Sequence, residues 1–238
     1  MLEKSKIQIL LILSFSIVLF LVGCVDTSVN PIPDSFNFRS QVKVVNLAGQ
    51  SATIDLINKS GDKTSFGTVA FGAESQGGFK DIPAGSKTLM FNSESYKVTT
   101  ETDRKIRLFV MGATSSERHV VKLTERYIFQ TKNSPNNEDL YPKDSAVVAF
   151  INGSFDASID GLHATANGID TTITFASSVA PGKGMGGIQL KAADYTIGLM
   201  IGDSTYTSFP AKLGSQNRYT AVAYDSTNNL KGNIFLDD

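Results

Sequence analysis

The chain has 238 residues, with 22 Lys+Arg against 23 Asp+Glu and a net charge of −1. That balance offers no basic stripe for nucleic acid, a single cysteine forbids an internal disulfide, and two histidines cannot supply a three-His zinc site. A hydrophobic content of 41% with 19% charged residues marks a globular chain and not a disordered one.

Lys4 and Lys6 give a short basic start, with Glu3 beside them. Residues 7–22 are then apolar apart from Gln8, Ser14 and Ser16. As a helix this run would be about 24 Å long. That is short of the roughly 30 Å bilayer core and suits the apolar region of a secretory signal. The run closes in Leu21-Val22-Gly23-Cys24. This tetrapeptide resembles the lipobox of bacterial lipoproteins. A thiol is needed there to take a diacylglyceryl group as a thioether, and small residues before it admit the peptidase between Gly23 and Cys24. The resemblance implies a signal peptide over residues 1–23, recognised through Leu21, Val22 and Gly23, and a lipidated Cys24. It also implies a protein held by lipid to a membrane of the bacterial cell envelope, facing the periplasm or the cell surface. An uncleaved signal anchor with an incidental cysteine is the plainer alternative.

Residues 24–39 contain Pro31, Pro33 and several small polar residues, which disfavour helix and suit an extended tether. From Ser40 the chain becomes a series of short β-like runs. Val42, Val44 and Val45 open one; Ile54 and Leu56 alternate with Thr53 and Asp55. Lys87 to Phe91, Ile106 to Val110 and Val120 to Leu123 follow. Turn formers fall between them at Gly49, Asn58 to Asp62, Gly77-Gly78, Pro83-Ala84-Gly85 and Ser115-Ser116. Short runs at regular spacing predict an all-β antiparallel sandwich over residues 40–130. Residues 131–144, rich in Asn, Ser and Pro, read as a linker.

Residues 145–238 repeat the order. Val42 to Asn46 matches Val148 to Asn152, and Ala52-Thr53-Ile54-Asp55 matches Ala157-Ser158-Ile159-Asp160. Gly85 to Thr88 matches Ala193 to Thr196, and Ile106 to Gly112 matches Tyr219 to Asp225. Four blocks in one order predict a duplication, giving two tandem immunoglobulin-like antiparallel β-sandwich domains.

The first copy also resembles a bacterial family known as domain of unknown function 4397 (DUF4397). The residues that carry this are Val44-Val45-Asn46, Ala52-Thr53-Ile54-Asp55, Val69-Ala70-Phe71-Gly72 and Pro83-Ala84-Gly85-Ser86-Lys87. In the second copy Tyr219-Thr220-Ala221-Val222-Ala223 fits the family's late strand, whereas Lys191-Ala192-Ala193 departs from its Pro-Ala-Gly turn. The resemblance implies an extracytoplasmic β-sandwich with no established activity.

Possible chemical sites each have a plainer reading. Gly182-Lys183-Gly184-Met185-Gly186-Gly187 lacks the P-loop spacing and leads into a strand-like run. Asp225 to Asn229 lacks the Gly and Glu of a calcium loop and fits a hairpin turn. Asp55 and Asp160 recur at one strand position, and a hydrolase would need them, or other carboxylates, in one cleft. His119 and His163 have no nucleophile elbow to serve. Asn58-Lys59-Ser60 and Asn152-Gly153-Ser154 fit the glycosylation sequon, but the lipobox argues against a eukaryotic secretory route. Tyr206, Phe209 and Tyr224 are candidates for a sugar-stacking platform, although no tryptophan is present. The sequence therefore predicts a non-enzymatic, membrane-anchored envelope lipoprotein with no cofactor, metal or nucleic-acid partner. Its modules would bind a protein or polysaccharide or give structural support. A carbohydrate- or polymer-binding surface protein is the first alternative, and a carboxylate-dependent hydrolase the second.

Overall fold

A computed structural model describes residues 38–127 and 143–237 of the chain. Leu21, Val22, Gly23 and Cys24, nearly all of the tether and most of the linker lie outside these residues. In chain order the strands are β1 (Arg39–Leu47), β2 (Ala52–Asn58), β3 (Lys63–Val69), β4 (Ala73–Glu74), β5 (Lys80–Pro83), β6 (Gly85–Phe91), β7 (Glu94–Thr100), β8 (Arg104–Met111) and β9 (His119–Tyr127). The second series is β10 (Ser145–Ser154), β11 (Ile159–Ala166), β12 (Ile169–Val179), β13 (Gly184–Lys191), β14 (Ala193–Ile201), β15 (Ser204–Leu213), β16 (Arg218–Asp225) and β17 (Lys231–Leu236), with a single 3-10 turn at Thr227–Asn229. Among the described residues no helix is long and apolar enough to cross a membrane.

The two series build the same object. The first makes one sheet in the order β4-β1-β8-β9, with β5 also on β1, and a second in the order β3-β2-β6-β7. The second series makes β13-β10-β16-β17 and β12-β11-β14-β15. Substituting β1 for β10, β2 for β11, β3 for β12, β6 for β14, β7 for β15, β8 for β16 and β9 for β17 converts one pair of sheets into the other. The long β13 stands for β4 and β5 together. Each pair closes on its own core: Val42, Val44, Ile54, Leu89, Phe91, Ile106 and Leu108 in the first, Val148, Phe150, Leu162, Ile197, Leu199 and Ala221 in the second.

The fold is all-β and its sheets are antiparallel apart from one ladder in each sandwich. β1 runs parallel to β8, with Val42 opposite Ile106, and β10 runs parallel to β16, with Val148 opposite Tyr219. The chain switches sheets several times between these strands, so no hairpin forces them to be antiparallel.

Two details fix the duplication at atomic level. Asn46 is fully buried; its Nδ2 donates to the carbonyls of Gln50 (2.7 Å) and Val69 (2.8 Å), and its Oδ1 accepts from Ala48 N (3.0 Å). Asn152, also fully buried, donates to the carbonyls of Ala157 (2.7 Å) and Val179 (2.6 Å) and accepts from Ser154 N (3.0 Å). Each amide ties the end of the first strand to the next loop and to the strand beyond it. Such a bond set satisfies carbonyls that the sandwich would otherwise bury unpaired. Ala52 pairs with Val69 and Ile159 pairs with Val179. The equivalent of Ala52 is therefore Ile159 and not Ala157, and Asp55 and Asp160 do not share a strand position. The connection from Asn152 to Ile159 is one residue longer than that from Asn46 to Ala52, and the β11–β12 register then shifts between Ile159 and Gly161, with the extra residues on β12.

Phe38–Asp238 form one compact unit. The sheets that contain β1 and β10 are buried on both faces. Val45, Leu47, Phe109 and Met111 pack against Ile151, Val222 and Phe235 in a third apolar cluster between the two sandwiches. This is why burial runs without alternation through most of β1, β8, β10 and β16, including the polar Lys43, Asn46, Arg107 and Thr220. Contacts across this seam use equivalent positions of the two copies. A Cβ on Gly153 would lie 2.4 Å from Leu47 Cδ1, and these two residues occupy the same position in their copies. Gly72 packs on the ring of Tyr224, and its counterpart Gly182 packs on His119. Both glycines have positive φ (79° and 75°) and both donate their N–H to the equivalent asparagine carbonyl at 2.8 Å. The two copies thus meet through equivalent positions, although the two glycines face different partners, since Tyr224 corresponds to Met111 and not to His119.

Candidate functional site

The sequence candidates scatter through the fold and acquire structural partners. Asp55, on β2, pairs with Lys63 at 2.6 Å. Burial pushes its carboxyl up, but Lys63 and Ser65 outweigh that and leave it below the usual range. Asp160, in the other sandwich, accepts from Ser178 Oγ and from Gly202 N (2.6 Å), which also hold it low. Each carboxylate serves its own turn, and the two lie in different sheets of different sandwiches.

His119 bonds through Nδ1 to the Glu117 carbonyl (2.9 Å) and packs on Gly182 at the seam. His163 meets Asp170 at 2.7 Å. Gly182 and Lys183 precede β13, and Gly184 to Gly187 form its first half. Asp225 closes the turn before β17, accepting from Ser226 N, Asn229 Nδ2 and Lys231 Nζ, so its oxygens are taken up by the chain itself. Among the described residues no group of three or more His, Cys, Asp or Glu could hold a metal ion.

The proposed aromatic platform is not assembled. Only Tyr206 is an exposed large aromatic among the three, at 50%. Phe209 is in the second core, its ring filling the space beside Gly232, where a Cβ would come within 2.0 Å of it. Tyr224 lies at the seam, edge-on to Phe71 with ring centroids 5.2 Å apart. The sequon residue Asn152 is likewise fully buried and spends its amide on the fold.

Two charged clusters sit at opposite ends of the first sandwich. At one, Glu94 accepts from Ser115, Tyr96 and Arg118, which hold its carboxyl down to about 2. Burial and that carboxylate push the Tyr96 phenol up to about 12. Arg118 lies over the Phe91 ring, 4.6 Å from its centroid, and caps the core there.

At the other end, Lys87 of β6 points to the core side, in register with the fully buried Leu89 and Phe91. It is 7% exposed, and burial pushes its amine down. Asn58 stands opposite it across the β2–β6 ladder. Together they line three adjoining depressions of about 370, 290 and 80 Å³. Sequence reasoning missed this feature, because a lone lysine in a strand reads as solvent-facing. Its parity with Leu89 and Phe91 is the signal that would have found it.

No protein-family model and no curated protein matches the sequence. Among solved structures, the chain is similar at 9% identity to the Bacillus anthracis TIE protein, with 79% of this chain and 33% of that one covered and a TM-score of 0.24. The chain thus spans about a third of that protein's length. It is similar at 10% identity to a "putative cell adhesion protein" from Bacteroides uniformis ATCC 8492, with 84% of this chain and 98% of that one covered and a TM-score of 0.26.

Proposed function

We propose that the chain is a lipid-anchored protein of the bacterial cell envelope that acts by binding and not by catalysis. Its two β-sandwiches work as one body. The observation that carries this reading is Leu21-Val22-Gly23-Cys24 at the end of the apolar run, with the chain's one cysteine at the position that takes lipid. Two or more acyl chains anchor a protein stably, at about 0.8 kcal/mol per buried CH₂. The resemblance to DUF4397 agrees with an extracytoplasmic sandwich. The site geometry supports binding over hydrolysis: Asp55 and Asp160 are apart, and each is held by structural partners.

Cell fractionation tests the anchor. The wild-type chain is expected in the membrane pellet, released by detergent. Cys24→Ser is expected to move the folded protein out of that pellet. A variant that stays in the pellet to the same extent as wild type would refute lipid attachment through Cys24.

A polymer-binding role is the more specific form of this reading. The Lys87 end of the first sandwich favours it, because a cavity there is lined by amines, hydroxyls and an amide.

A further inference from the structure

β12 is an unprotected edge. It ends its sheet in the order β12-β11-β14-β15, and among the described residues β11 is its one ladder partner. From Ile169 to Thr174 it pairs regularly with Ala166 back to Gly161, and the extra residues of β12 come only after Thr174. A regular strand at a sheet edge leaves a row of backbone N–H and C=O groups facing outward, free to pair with another strand.

Proteins blunt such edges with Lys, Pro or a bulge. The first copy does so at the equivalent strand. β3 begins at Lys63, bulges between Ser65 and Gly67 (φ 72° at Gly67), and gives the Ser65 carbonyl to Lys80 Nζ at 2.6 Å. β15, at the far edge of the β12 sheet, carries Pro210 and Lys212. Residues 169–174 read Ile-Asp-Thr-Thr-Ile-Thr, with no Lys, Arg, Gly or Pro. Their one charge, Asp170, bonds back to His163 of β11 at 2.7 Å. Asp170, Thr171, Thr172 and Thr174 are exposed, and Ile169 and Ile173 are only partly covered by the second core. β-branched residues with little charge favour strand-to-strand pairing.

The same residues say what fits this edge. Set antiparallel to itself about Thr172, the strand brings Thr171 opposite Ile173, Asp170 opposite Thr174 and Ile169 opposite Phe175. Side chains directly opposite each other share a face of the sheet. Ile169, Ile173 and Phe175 of both copies therefore stay on the core side, and Asp170, Thr172 and Thr174 on the other. No like charges meet, and each Asp170 faces a hydroxyl. A two-fold at Asp170 would set two carboxylates against each other. One at Thr171 would leave Thr174 unpaired by β12, and one at Ile173 would run into the extra residues.

We propose that β12 pairs antiparallel with β12 of a second copy of this chain, with the two-fold axis at Thr172. The contact joins two four-stranded outer sheets into one continuous sheet. One strand pair is a small interface, so the dimer exchanges with monomer. The pairing stands independently of the lipid anchor.

The test is sedimentation velocity of the full chain, with detergent micelles in excess over chains, from about 1 μM to about 1 mM protein. The expected result is a concentration-dependent equilibrium that stops at the dimer, because a two-fold contact closes on itself. Thr172→Lys sets two ammonium groups against each other. It is expected to weaken dimerisation at least tenfold, with the melting temperature of the monomer unchanged. Thr174→Lys sets each new ammonium opposite Asp170 of the second copy and is expected to tighten dimerisation severalfold. Thr196→Lys, exposed on the same outward face but on the interior strand β14, is expected to leave it unchanged. A chain that stays monomeric throughout, growth beyond the dimer, or wild-type dimerisation in Thr172→Lys would each overturn the proposal. So would an equal loss in Thr174→Lys or Thr196→Lys.

Discussion

Arg107 of the first sandwich and Asp237 of the second form an ion pair at 2.8 Å, 130 residues apart in the chain. Arg107 is fully buried, and Asp237 is 2% exposed. Arg107 also donates to the Leu236 carbonyl (2.9 Å), and Thr220 Oγ1 donates to Asp237 (2.9 Å). The pair thus pins the end of β17 to β8 across the seam. Removing one partner leaves a buried charge, which costs about 3–5 kcal/mol. Asp237→Ala is expected to lower unfolding stability by that amount, as read from urea midpoints. The double variant Arg107→Met with Asp237→Leu is expected to recover most of it. A single variant within about 0.5 kcal/mol of wild type, the usual range for surface substitutions, would mean that the pair does not join the sandwiches.

The two asparagines make a prediction about the repeat itself. Asn46→Asp and Asn152→Asp keep the shape but remove the donors that two carbonyls need. Each is expected to cost about 3 kcal/mol or more, from unpaired carbonyls and a buried carboxylate. Equal effects in both copies are the signature of one motif used twice. Chemical denaturation compares them directly, and a neutral result at either position would break the equivalence.

Gly153 tests the seam. Its missing side chain leaves room for Leu47 and for the Ala223 carbonyl, which would lie 3.1 Å from a Cβ. Gly153→Val is expected to cost about 1–3 kcal/mol by overpacking. Leu47→Ala removes the other side of the contact and is expected to cost about 2–5 kcal/mol. Combining the two should give less than the sum, since the second change opens space for the first. Strict additivity in thermal melts would argue against that contact.

The acid limb of stability should report on Glu94. Its carboxyl is lowered from 4.5 to about 2 in the folded chain by Ser115, Tyr96 and Arg118. A lowered acid stabilises the fold above its unfolded value and loses that contribution as pH falls through the folded one. The window runs from about pH 4.5 down to about pH 2. Glu94→Gln is expected to be less stable than wild type at pH 6, with the difference shrinking through this window. A difference that stays constant from pH 6 to pH 2 would show that the carboxylate's charge is not what holds this end.

Much of this arrangement is legible in the residues, and the exceptions have physical causes. Alternating runs and turn formers locate the strands because one face of most of them meets solvent. Three of the four repeat blocks fall in the same strand register in both copies. The Ala52 block slips because the connection from Asn152 to Ile159 is one residue longer than that from Asn46 to Ala52, which a short Ala-x-Ile-Asp match cannot reveal. A better second anchor was present in Val69-Ala70-Phe71-Gly72 and Val179-Ala180-Pro181-Gly182, which make the same turn against the asparagine carbonyl. The seam is written in the uninterrupted apolar stretches Val147 to Ile151 and Ala221 to Ala223. A two-sided run reads as a buried strand without saying what covers its second face. Tyr224 and Phe209 failed as sugar-facing candidates for a related reason: in so small a sandwich, aromatic rings are spent on core and seam.

The most direct measurement is mass spectrometry of the N-terminal peptide of the protein extracted from membranes. A peptide that begins at Cys24 and carries the mass of a diacylglyceryl thioether, with or without a further acyl chain, is the predicted result. An unmodified Cys24, or a chain that still carries residues 1–23, would contradict the account.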